Sequence, residues 1–218
     1  MGATSYRGQA EGTAATSQSV FGQVMGLVAV TVGFLALGAY IGRNLSGTVG
    51  LLLFIAAFGC IFGLNIASNR GNDQLAIVFL FGLGLSLGLS VGPVLAQYAN
   101  SDPAALWQAA GATGGFIAAL GAYGYATRRD LSFLARGLFF ALLALIVFGV
   151  VLIFVRIPNG NVIYAVLGLV IFGGFTIFDF NRLRRAGPSS AVPIAASIFL
   201  DIFNVFLFFL QLFGGGRD

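Results

Sequence analysis

The sequence predicts an all-α polytopic membrane protein, a bundle of seven transmembrane helices. Three observations carry this. Of 218 residues, 58% are hydrophobic and 8% charged, where a soluble domain carries about 25% charged residues. The apolar residues fall into seven runs, most of them near the ~20 residues that span a bilayer core. The connections between runs are too short to hold a second domain. Twenty-three Phe and 32 Gly fit lipid-facing rings and close helix contacts.

The chain opens with a polar stretch, residues 1–18, rich in Gly, Ala, Ser and Thr. It reads as a disordered cytoplasmic tail before a transmembrane domain over 19–214. No basic stretch followed by an apolar core stands there, so no signal peptide is expected. The runs follow at 20–41, 48–66, 74–98, 104–127, 131–155, 161–178 and 191–213. The third contains Gly84, Gly88 and Gly92, with Ser86 and Ser90 beside them. Small residues at a spacing of four let helices approach closely; a pore lining is the sharper alternative.

Orientation follows from arginine. With the N-terminus in the cytoplasm, that side holds Arg7, Arg70, Arg128, Arg129, Arg136, Arg182, Arg184 and Arg185. The other side holds Arg43, Arg156 and Arg217. Eight against three favours an inside N-terminus and an external C-terminus. The same scatter at helix ends makes topology a better explanation of the positive charge than nucleic acid, which is not expected as a partner.

Absences narrow the chemistry. Without His there is no His-ligated metal site or Ser–His hydrolase. Without Lys there is no Schiff base. The single cysteine, Cys60, sits in an apolar run and reads as a small core residue. No cofactor is expected.

The carboxylates remain. Glu11, Asp73, Asp102, Asp130 and Asp218 fall in the tail, loops or C-terminus, where water solvates them. Asp201 is eleventh in the last run, ~15 Å along the helix. An unpaired aspartate there costs at least about 2.5–3.5 kcal/mol, so protonation or a partner must compensate. Ser197, Asp201, Asn204 and Gln211 share one face. This polar stripe should face the bundle interior. Asp179 ends the sixth run, three residues before Arg182. Its plainest role is a surface ion pair with Arg182 or Arg185; a functional pair with Asp201 on the neighbouring antiparallel helix is the alternative. The depths match poorly, unless the last helix begins further inside, near Pro193 or Ala195.

If the two meet, they cannot both ionise cheaply in a low dielectric, and they titrate as a unit. That is a proton-operated switch made without histidine. Ionised, Asp179 and Asp201 offer oxygen ligands of the kind Ca²⁺ prefers. A nearby Arg would lock the pair shut, and Arg70, in the loop after the second run, is a candidate.

These residues also resemble a known family. Arg128–Arg129–Asp130–Leu131–Ser132–Phe133–Leu134, Phe178–Asp179–Phe180–Asn181 and Ile198–Phe199–Leu200–Asp201–Ile202–Phe203–Asn204–Val205–Phe206–Leu207 are similar to segments of the Bax inhibitor family. Pro93 with Gln97–Tyr98–Ala99 is similar to the end of the family's third helix. The resemblance runs from about Arg70 to Phe213; the first helices match in hydropathy alone. It implies seven helices with a central last helix, Asp179 and Asp201 as a cytoplasm-side aspartate pair, and Arg70 as its latch. It implies a pH-sensitive Ca²⁺ leak and, in eukaryotic members, suppression of cell death. An acidic residue of some relatives' second helix is missing, since Phe58–Gly59–Cys60 is neutral.

The expected function is therefore a pH-gated calcium leak, with Ca²⁺ and protons as its ions and the lipid bilayer as its solvent. Arg without Lys, beside many Ala and Gly, suits a GC-rich bacterial genome and hence a bacterial inner membrane. One alternative is a non-transporting regulator that binds other membrane proteins. The other is an intramembrane aspartyl protease, disfavoured because Phe199 and Leu200 would crowd a substrate backbone.

Overall fold

The computed structural model describes the backbone of residues 3–215 and the side chains of residues 20–215. Among these residues there are seven α-helices and no strand. They are α1 (Ala3–Gly42), α2 (Gly47–Asn69), α3 (Asp73–Ser101), α4 (Pro103–Ala126), α5 (Leu134–Phe154), α6 (Gly160–Arg184) and α7 (Ala191–Gly214). A 3-10 turn, Pro188–Ser190, leads into α7.

Each boundary has a local cause. Gly71 adopts a φ of +70° just past α2, the left-handed stop that glycine makes without strain. Asn72 then caps α3, its Oδ1 accepting from the Leu75 N–H at 3.0 Å. Asp102 caps α4 through the Ala105 N–H, with Pro103 at the first helical position. Asp130 accepts from both the N–H and the hydroxyl of Ser132. That turn delays α5 to Leu134, three residues later than the hydropathy suggests. The polar stretch read as a disordered tail carries helical backbone from Ala3 onward; its apolar part begins at Val20.

Six helices are long and apolar enough to cross a membrane; α4 is not among them. Its 24 residues give about 36 Å of length. Its five Gly, with Gln108, Trp107, Tyr123 and Tyr125 and few large aliphatic residues, are what lower its hydropathy. The six differ greatly in burial. In the apolar stretch of α7, 56% of residues are buried, against 6% in α5.

Two compact units can be distinguished. The first comprises Met1–Val91 with Arg182–Ser197. Here α1 lies directly on α3. A Cβ on Gly84 would stand 2.6 Å from the Thr31 carbonyl, and one on Gly38 or Gly88 would collide with the opposing backbone at Leu85 or Leu35. The glycine row of α3 is thus a packing surface at Gly84 and Gly88. Phe34 and Phe81 stack beside this contact at 5.1 Å. Cys60 is a half-buried free thiol whose sulfur faces Gly82.

The second unit comprises Gly92–Asn181 with Ile198–Asp218. Ala105, Ala109 and Leu210 form a core patch flanked by Leu95, Tyr98, Phe206 and Phe209. The Phe208 ring lies over Gly168 of α6, and Phe116 meets Phe209 edge to face. α4 rests on α6 at Gly124, where a Cβ would collide with the Ile177 backbone.

The contact of α1 on α3 makes a specific test. Gly38→Ala is expected to cost about 1–3 kcal/mol through overpacking, whereas Gly33→Ala on the same helix meets nothing within 4 Å and should be near neutral. Thermal unfolding in detergent reads the difference. A Gly38→Ala protein as stable as the parent would contradict backbone contact between α1 and α3.

Candidate functional site

Six polar or charged side chains are buried among the described residues: Thr31, Thr113, Thr176, Asp179, Asn181 and Asp201. The threonines satisfy themselves. Each hydroxyl donates to the carbonyl four residues earlier in its own helix, at 2.7–2.8 Å. The other three, Asp179, Asn181 and Asp201, all belong to the second unit.

Asp201 stands in α7 as expected and is 4% exposed. Asp179 differs from its sequence reading. α6 does not end at Phe178 but continues to Arg184, so Asp179 lies inside the helix and is also 4% exposed. The cause is tertiary. Phe180, Asn181 and Leu183 are all buried, so the segment that looks like a polar loop is held in the interior. α7, for its part, begins at Ala191 rather than near Pro193 or Ala195. The longer α6 removes much of the apparent mismatch in depth. Asp179 is close enough for its charge to act on Asp201. Oδ2 of Asp201 is buried without a hydrogen-bond partner among the described residues.

The rest of the polar stripe divides. Ser197 donates to the Pro193 carbonyl and Asn204 to the Leu200 carbonyl, each within α7. Gln211 lines a separate pocket of about 440 Å³ with Asn161, Tyr164 and residues of α5. It sits ten residues beyond Asp201, ~15 Å along the helix. Arg70 belongs to the first unit, where it is the exposed C-cap of α2. No cluster of three or more acidic, Cys or His residues exists among the described residues.

Asn181 has a role that the sequence does not reveal. Its side chain is fully buried, and its Nδ2 donates toward the carbonyls of Gly124 (3.3 Å), Thr127 (2.8 Å) and Arg129 (3.1 Å). Its Oδ1 accepts from the Leu131 N–H at 3.4 Å. One side chain thus serves four backbone groups at the end of α4 and in the connection to α5. The signal available in sequence was an amide two residues after Asp179, in the segment Phe178–Asp179–Phe180–Asn181; its partners were not readable.

The family described as inhibitor of apoptosis-promoting Bax1 matches residues 17–218. The chain belongs to the Bax inhibitor family. The match begins before α2, so the first helices share the family relation that hydropathy alone had suggested for them. Among relatives, the chain is similar to an uncharacterized membrane protein of Vibrio cholerae, 30% identical over 173 residues, covering 78% of this chain and 77% of that one. It is similar to the Golgi anti-apoptotic protein of vaccinia virus (strain Lister), 33% identical over 163 residues, covering 74% and 67%. A Deinococcus radiodurans protein is 27% identical over 227 residues, covering 94% and 96%. The chain is a multi-span membrane protein whose bacterial relatives include one described as a membrane protein.

The contact that positions Asp179 can be tested. In this Bax inhibitor family member, Gly124→Ala should force α4 away from Ile177, two residues before Asp179. A loss of about 1–3 kcal/mol is expected. Gly114→Ala, with nothing within 4 Å, is the matched control on the same helix. Equal melting temperatures for the two variants would argue against the contact.

Proposed function

We propose that this protein is a pH-sensitive calcium leak of the bacterial inner membrane, gated by protonation of Asp179 and Asp201. The observation that carries the reading is the burial of two acids on α6 and α7, near enough for one charge to act on the other. Two such groups in a low dielectric respond to protons jointly. A structural role alone would be served more cheaply by neutral side chains. In this reading α7 is the central helix, which its high burial supports, and α4 is the seventh span.

Arg70 is the proposed latch. By charge-assisted bonds it would hold the ionised pair and keep the helices closed. Arg70→Ala should therefore raise basal Ca²⁺ flux at neutral pH in liposomes that contain only the purified protein. Flux unchanged at every pH would leave Arg70 as a topology signal.

The pair itself is tested by Asp179→Asn and Asp201→Asn. Asn keeps the size of a protonated Asp and cannot ionise. Each variant should insert normally and lose the pH dependence of flux. The double variant should resemble either single one, because the pair acts as a unit. A full pH response in Asp201→Asn would refute the proton switch.

Topology provides an independent check. Seven spans with the arginine bias described above put the N-terminus in the cytoplasm and the C-terminus outside. Reporter fusions at both ends should report opposite sides. A cytoplasmic C-terminus would mean that α4 does not cross.

A second reading has its own support. The vaccinia relative is named as an anti-apoptotic protein, which suits a regulator that binds other membrane proteins and moves no ion. Proteolysis is disfavoured, since Phe199 is fully buried and stacks on Phe203 beside Asp201.

A further inference from the structure

Asn181 lies two residues beyond Asp179 on α6. α6 continues past it to Arg184, so none of its four side-chain bonds serves to end its own helix. They serve another part of the chain. The Gly124 carbonyl is one of the last in α4, which lack intrahelical partners. The Thr127 and Arg129 carbonyls and the Leu131 N–H belong to the connection that follows. On the other flank of Asp179, Ile177 touches the backbone of Gly124. The α4–α5 connection is therefore tied to α6 both two residues before and two residues after Asp179.

We propose that Asn181 is a positioning residue that couples the aspartate-bearing segment of α6 to the α4–α5 connection, so that the two move together. The proposal rests on the leak reading. A shift of residues 177–181 must either strand four backbone groups from their partner or carry residues 124–131 along. Stranding the fully buried Asn181 amide is the costlier course. The connection bears Arg128 and Arg129, both exposed. A change at Asp179 would thus reposition two cations at the membrane surface, where they act on an approaching Ca²⁺. The other ionisable side chains of residues 124–131 and 177–185 are Tyr125, Asp130, Arg182, Arg184 and Arg185, with Asp201 acting from α7.

The test is hydrogen exchange of residues 127–131 in the full-length protein, as protection corrected for intrinsic exchange. It is measured across the pH range of the flux assay. In the unaltered protein, protection should change over the same pH interval as Ca²⁺ flux. In Asp179→Asn that change should vanish. In Asn181→Ala and Asn181→Asp, which remove the donors, protection should fall roughly tenfold at every pH. Their flux should no longer follow the parent pH profile. Asn65→Ala, which loses only a bond to its own helix at Ile61, should alter neither readout.

Two results would overturn the proposal. One is loop protection that stays constant while flux changes in the unaltered protein. The other is a loosened loop with the parent pH profile in Asn181→Ala, which would make the contact a structural clamp only. Should the Asn181 variants fail to fold, the comparison of unaltered protein with Asp179→Asn decides alone. If no flux occurs at any pH, the leak reading falls. PH-dependent loop protection that Asp179→Asn abolishes would still support the coupling, and its absence would overturn it.

Discussion

An aspartate in the middle of a membrane-spanning helix must be kept from lipid, and much of this structure follows from that constraint. Asp201 sits near the midpoint of α7, and α7 is the most buried of the six apolar spans. The helix must turn its polar side inward, which sets its rotation. Its neighbour α6 brings a second acid to the same place, and that acid is equally buried. The unfavourable group is thus gathered with another unfavourable group, away from lipid.

Close packing is what makes such burial possible. Lipid gives helices no hydrophobic reason to associate, so contact area and backbone approach must hold them. The glycines provide both. Gly124 lets α4 settle on the Ile177 backbone, and Gly84 and Gly88 let α3 settle on α1. In α4 the same economy has a cost in hydropathy. Small residues that favour packing contribute little to insertion, which is why α4 is long enough to span but less apolar than the other six. Its place would be among other helices rather than in lipid alone.

The helices were legible because a bilayer imposes length and hydropathy on each of them, and all seven runs correspond to helices. The capping residues Asn72 and Asp102 lie where short polar residues between apolar runs predict an end. Asp201 was legible because it violates the local rule. The end of α6 was not. Asp179, Asn181, Arg182 and Arg184 look like a loop to any measure of local polarity, yet the alternate residues Phe180 and Leu183 are buried. What decides that segment is tertiary. The partners of Asn181 lie 50–57 residues away and are backbone groups, which have no residue type to recognise in sequence. The division of the polar stripe was hidden for the same reason, since a shared helix face cannot tell a self-bonded Asn204 from a pocket-lining Gln211.

The acid count bears on which ion chemistry is plausible. Ca²⁺ takes six to eight oxygen ligands, and tight sites draw on several carboxylates. Here two acids stand close together, and no larger acidic cluster exists among the described residues. In α2, Phe58, Gly59 and Cys60 are neutral. Two carboxylates would hold Ca²⁺ only with water or backbone carbonyls completing the shell, and so weakly. Weak binding does not suit a storage or sensor site. It suits passage, because conduction requires an ion to leave as readily as it enters. In the proposed leak the same pair would release Ca²⁺ on taking up protons, since both compete for the same oxygens. On the proposed reading, proton control and ion passage at Asp179 and Asp201 would be one property of two buried carboxylates rather than two functions to be explained separately.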